Sequence, residues 1–196
     1  MQECVAPLAG GELARRRCLS LVRESALNTP PPEVLAIADE LRQRMTQRRL
    51  RWAAAESLTG GYLQSLISTA AGASEFFEGG IVAYSLRQKV DLLGVDREHA
   101  VAVNCVSARV AQEMAQGVCR RMGVDVGVAT TGYASPDPEH NVTIPFAHIA
   151  IWRAHGPSAG ELLFEGRLEK DDFRIQVQQY IAHQALFELE KAVRKL

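Results

Sequence analysis

Residues 52–63 read Trp52-Ala53-Ala54-Ala55-Glu56-Ser57-Leu58-Thr59-Gly60-Gly61-Tyr62-Leu63. An apolar run of strand character stops at an acid. A Ser, a Thr and two glycines follow, and an apolar helical pattern starts at Tyr62 and Leu63. A strand that turns sharply into a helix leaves backbone N–H groups without intrahelical partners, and glycine lets the backbone approach a ligand closely. A hydroxyl on such a turn can be a nucleophile beside anion-stabilising dipoles. The stretch also suits a Ser or Thr N-cap with glycine easing the turn. Taken alone it favours that plainer reading, because caps are common.

Outward from this turn the chain alternates. Val34, Ile37, Leu41 and Met45 recur at helical spacing, ahead of Arg48, Arg49 and Arg51. Trp52–Ala55 reads as a strand, 59–70 as a helix, 80–84 as a strand, and Leu86–Leu93 as a short helix closed by Gly94. Ser107 caps a helix in which Val110, Met114, Val118 and Met122 repeat every four residues. Residues 124–130 form an apolar run of the kind covered on both faces, interrupted by Asp125. Two strands, 144–153 and 161–168, flank a turn with Gly156-Pro157 and Gly160. The last helix, 172–193, sets Phe173, Val177, Ile181, Ala185, Leu189 and Val193 on one stripe. The pattern predicts an α/β domain of three layers, α/β/α, around a mixed, mostly parallel sheet.

Bulk properties narrow the function. The chain has 196 residues, enough for one domain with a proper core. Its 22 basic and 23 acidic residues nearly cancel, so nucleic acid is not an expected partner. No apolar run approaches a bilayer span, so no membrane partner is expected. Cys4, Cys18, Cys105 and Cys119 lack zinc-like spacing and a disulfide framework, which fits a reducing cytoplasm. Arg15, Arg16 and Arg17 precede no apolar region of the secretory kind. Residues 1–32 read as an appendage, with a short helix over 12–27 and a stiff Pro30-Pro31-Pro32 joint. The domain proper is expected over 33–196.

Three loops leave strand ends in such a sheet, where open α/β sheets bind ligands. They are Glu56–Gly61, Tyr84–Lys89 and Thr130–Pro136. Tyr84 ends a strand, and Lys89 lies in the first turns of the next helix. A Ser beside a Lys is a workable nucleophile and base once burial lowers the lysine pKa, and a Tyr hydroxyl can orient that lysine. Singly, Lys89 reads better as a solvated helix lysine, and Tyr84 as a core aromatic with its hydroxyl at the surface. The five histidines show no ligand-like spacing. Asp137, Glu139 and His140 suit a polar loop better than a metal.

Taken in order, the separated segments resemble one family. They are Ala55-Glu56-Ser57-Leu58-Thr59-Gly60-Gly61, Phe76–Ser85, Lys89–Val95, Val106-Ser107 and Ala129-Thr130-Thr131-Gly132. Together they resemble the CinA C-terminal family, the nicotinamide-nucleotide amidohydrolase domain, in its stand-alone form. The resemblance implies hydrolysis of the carboxamide of nicotinamide mononucleotide, a small-molecule nucleotide substrate, to nicotinic acid mononucleotide and ammonia in pyridine nucleotide salvage. It carries the nucleophile onto Ser57, the tyrosine onto Tyr84 and the base onto Lys89. Thr59, Gly60, Gly61, Thr131 and Gly132 fall at oxyanion or substrate-binding positions. The family's late arginine falls on Arg174, with Arg167 as a second candidate. No metal or cofactor is implied, and a homodimer or larger assembly is expected.

Two departures stand out. Leu58 replaces the usual Cys. The third loop runs Gly132-Tyr133-Ala134-Ser135-Pro136-Asp137-Pro138-Glu139-His140-Asn141 where relatives are glycine-rich. Prolines remove N–H donors, and Asp137 and Glu139 would repel a phosphate. The alternative reading is therefore an altered or inactive member that binds another nucleotide, another amide or a protein partner.

Overall fold

A computed structural model describes residues 31–155 and 160–196. The expected helix over 12–27 and the Gly156-Pro157 turn lie outside the described residues. Pro32–Leu196 form one compact unit.

The strands come from apolar runs and the helices from one-sided apolar stripes. In order they are α1 (Pro32–Arg48), β1 (Trp52–Glu56), α2 (Tyr62–Ser68), β2 (Phe77–Val82), α3 (Leu86–Leu93), α4 (Arg97–Ala102), α5 (Ala108–Met122), β3 (Val126–Tyr133), β4 (Phe146–Ala154), β5 (Gly160–Glu169) and α6 (Arg174–Arg194). The sheet order is β2-β1-β3-β4-β5. β1 pairs parallel with both β2 and β3. β4 is antiparallel to β3 and to β5, so it alone runs against the other four. The result is the mixed α/β sheet expected from the sequence.

The sheet is covered on both sides. Val34, Ala38, Leu41 and Met45 of α1, Leu63 and Ile67 of α2, and Val177, Ile181 and Leu189 of α6 pack on the face that presents Ala54, Val126, Val128 and Ile149. Leu93 of α3 and Val110, Met114 and Val118 of α5 pack on the face of Ala53, Ala55, Ala129 and Ala150. A methyl on Gly117 would overlap the Leu93 carbonyl, so this glycine lets α5 lie directly against the end of α3. All five β1 residues are buried. Among the described residues no helix is long and apolar enough to cross a membrane.

β2 spans Phe77–Val82 rather than 80–84, so Tyr84 lies beyond the strand and does not end it. The stripe of the last helix is corrected as well. Phe173 does not join the buried stripe of α6; it is 81% exposed. It occupies the N-cap with extended backbone (φ −64°, ψ 151°), which turns its side chain off the helical face.

Candidate active site

The C-terminal ends of β1, β2 and β3 lie at one edge of the sheet, as parallel pairing requires. Ser57 is the first residue beyond β1, and its N–H donates to the Thr130 carbonyl of β3 at 3.0 Å. The turn after it runs through Gly60 (φ +61°) and Gly61 (φ +104°), conformations that a residue with a Cβ adopts only with strain. Glu56, wholly buried, closes the turn. Its carboxylate accepts from Gly61 N–H (2.9 Å), Leu63 N–H (3.1 Å) and Gln64 N–H (2.9 Å). The donors at the start of α2, which the sequence leaves open for a ligand, are thus taken by Glu56. The Gly60 N–H goes to the Ser57 carbonyl at 3.1 Å. Neither glycine offers a free N–H; both serve the turn.

Thr59 is equally committed. It is buried, and its hydroxyl pairs with the Thr130 hydroxyl at 2.7 Å.

Ser85 caps α3, its hydroxyl accepting from the Gln88 N–H at 3.3 Å. One turn in, Lys89 points back under the loop and is 1% exposed. Its Nζ lies 2.8 Å from Ser57 Oγ and donates to the carbonyls of Ala83 (2.9 Å) and Tyr84 (3.1 Å). Burial lowers its pKa. A neutral amine has two N–H bonds and one lone pair. With both N–H bonds spent on carbonyls, the lone pair faces the Ser57 hydroxyl. Such an arrangement can take a proton from Ser57.

Tyr84 meets the lysine through its carbonyl, not its hydroxyl. Tyr84 is 60% exposed, and its hydroxyl accepts from Arg174 Nη2 at 2.9 Å. Arg174 Nη1 donates to Ser135 Oγ at 3.3 Å. Arg174 thereby joins the second loop to the third, at the mouth of the site.

The remaining candidates bond to groups other than Ser57. Thr131 is buried, and its hydroxyl donates to the Cys105 carbonyl at 2.8 Å. Gly132 lies on β3 opposite Ala147, and a Cβ there would overlap the Phe146 carbonyl; close strand packing accounts for it. Arg167 stacks over the Phe146 ring at 4.0 Å and pairs with Glu169 at 2.9 Å on the edge strand. In the third loop Asp137 turns inward to His140 Nδ1 at 2.9 Å. Among the described residues no group of three His, Cys, Asp or Glu could hold a metal.

Two residues escaped the sequence reading. Glu56 was visible as the acid that stops the strand, but nothing local marks it as the acceptor for three amides. Gln178 of α6 donates from Nε2 to the Leu58 carbonyl at 2.7 Å. Its only sequence signal is its position four residues after Arg174, on the same helix face.

The model of the CinA C-terminal domain family matches residues 34–193. This chain belongs to the CinA C-terminal domain family. A CinA-like protein of Chlorobium limicola is 39% identical over 145 residues, 74% of this chain and 34% of its own length. A CinA-like protein of Frankia casuarinae is 42% identical over 107 residues, 55% of this chain and 25% of its own length. The chain therefore spans about a quarter to a third of the length of these CinA relatives. Among solved structures, the competence/damage inducible protein CihA from Agrobacterium tumefaciens superposes with a TM-score of 0.72 at 26% identity, covering 84% of this chain and 98% of that one. A CinA superfamily protein from Escherichia coli gives 0.69 at 26% identity, covering 80% and 88%.

Proposed function

We propose that this CinA-family chain is a serine–lysine amidohydrolase that converts nicotinamide mononucleotide and water to nicotinic acid mononucleotide and ammonia. The observation that carries the proposal is the buried Lys89 amine 2.8 Å from Ser57 Oγ, with two backbone carbonyls fixing its N–H bonds. Lys89 removes the Ser57 proton as Oγ bonds to the carboxamide carbon. The resulting ammonium then returns that proton to the departing nitrogen as the C–N bond breaks, leaving an acyl-serine and ammonia. A water molecule, deprotonated by the same lysine, releases the acid. Arg174 at the mouth supplies positive charge suited to the substrate phosphate.

A second reading keeps the chemistry and changes the amide. Ser135 favours it, because its hydroxyl engages the guanidinium that the phosphate would need.

Ammonia release from nicotinamide mononucleotide, with nicotinamide riboside as control, tests both. The mononucleotide reading expects the riboside to be the poorer substrate, and the reverse order favours the second. Ser57→Ala removes activity by several orders of magnitude with the fold intact, while chelators leave the rate unchanged. Activity that survives Ser57→Ala contradicts the assignment.

A further inference from the structure

Between Ser57 and Gln64 nearly every amide N–H has a partner. Ser57 donates to Thr130, Gly60 to the Ser57 carbonyl, Tyr62 to the Thr59 carbonyl, and Gly61, Leu63 and Gln64 to Glu56. The exceptions are Leu58 and Thr59. Both residues are buried, yet among the described residues neither N–H has an acceptor. Buried amides are almost always paired, so two successive unpaired N–H groups beside a buried nucleophile point to an acceptor brought by a ligand. The Thr59 side chain is not an alternative donor, since its hydroxyl is engaged with Thr130.

What aims these N–H groups is visible in the carbonyls of the same peptides. There are no cis peptide bonds in the described chain, and in a trans peptide the N–H points opposite to the C=O. The Ser57 carbonyl is held by the Gly60 N–H, which fixes the direction of the Leu58 N–H. The Leu58 carbonyl is held by Gln178 Nε2, which fixes the direction of the Thr59 N–H. The first hold is local, within the turn. The second comes from another helix, and Gln178 lies across Gly60, where a Cβ would meet Nε2 at 3.8 Å.

We propose that Gln178 is a positioning residue: by holding the Leu58 carbonyl it aims the Thr59 N–H, together with the Leu58 N–H, at the oxyanion formed when Ser57 attacks a carbonyl. The proposal rests on Ser57 being the nucleophile. Removing the Gln178 donor frees the Leu58–Thr59 peptide to rotate. The cost falls on the charged tetrahedral state rather than on substrate binding.

A serine-reactive fluorophosphonate tests this without knowledge of the natural amide, because its phosphoryl oxygen needs the same donors. Wild-type protein is labelled at Ser57, and Ser57→Ala is not. Gln178→Met keeps the length and loses the donor. It lowers the labelling rate roughly 10- to 100-fold, somewhat less than outright loss of an oxyanion donor, at an unchanged melting temperature. Gln178→Lys restores a donor and recovers most of the rate. With nicotinamide mononucleotide as substrate, Gln178→Met lowers kcat and leaves KM unchanged. Equal labelling of Gln178→Met and wild type overturns this proposal alone. So does a loss that tracks a fall in melting temperature and that Gln178→Lys does not relieve. Absence of labelling in the wild type overturns the nucleophile assignment beneath it.

Discussion

Lys89 carries the proposed chemistry, and its burial makes a prediction with a definite sign. Its folded pKa lies below the ordinary lysine value of 10.5, because burial penalises the charged form. Between the folded and the ordinary value the unfolded chain binds more protons than the folded one. Stability contributed by this group therefore rises with pH across that window, and below it the buried charge costs its full amount. Hydrolysis rises with pH through the folded pKa and then levels. Lys89→Met abolishes hydrolysis and flattens the dependence of melting temperature on pH. Parallel titrations of rate and melting check both. A rate that falls as the lysine deprotonates contradicts its role as base.

At the scale of elements, the turn that carries Ser57 depends on one carboxylate. Glu56→Gln replaces an acceptor oxygen with an N–H₂ that faces a backbone N–H, and leaves a buried donor without its partner. A loss of about 1–3 kcal/mol in urea unfolding is expected, together with slower hydrolysis. An unchanged unfolding midpoint contradicts the capping role. This turn also shows where the sequence was legible and where it was not. The strand, the glycine turn and the helix were readable from composition. The helix expected over 59–70 is shorter, Tyr62–Ser68, because Gly60 and Gly61 take positive φ that no right-handed helix admits. β3 continues past the expected Thr130 to Tyr133, since Gly132 and Tyr133 pair with Ala147 and Phe146 of β4. α4 has six residues, too few to show a period. Ser57 and Lys89 could be nominated from local turns and family resemblance. Gln178 could not, because its partner is 120 positions away and a glutamine on a helix carries no chemical signature.

For the whole molecule, the sheet divides its labour. The parallel half, β2-β1-β3, brings three loop-bearing ends to one edge, while the antiparallel β4 and β5 extend the core. Phe173 at 81% exposure and Ile175 at 48% stand beside Arg174 near the mouth, an apolar pair that water covers at a cost. A homodimer or larger assembly is the expected result of light scattering at micromolar concentration, and a strict monomer contradicts it.

The contacts that make the site are also ordered in time. Ser57 and Lys89 are 32 positions apart, Thr59 and Thr130 71, Tyr84 and Arg174 90, and Leu58 and Gln178 120. Closing longer loops costs more entropy and waits on more of the chain. A nascent or refolding chain can therefore bring serine and lysine together before α6 has docked, when the peptide after the serine still lacks its hold. In that interval the proposed nucleophile would stabilise its oxyanion less well than in the folded chain. Under the proposed roles, full turnover waits for α6 to dock, so the rate would report on the completion of folding.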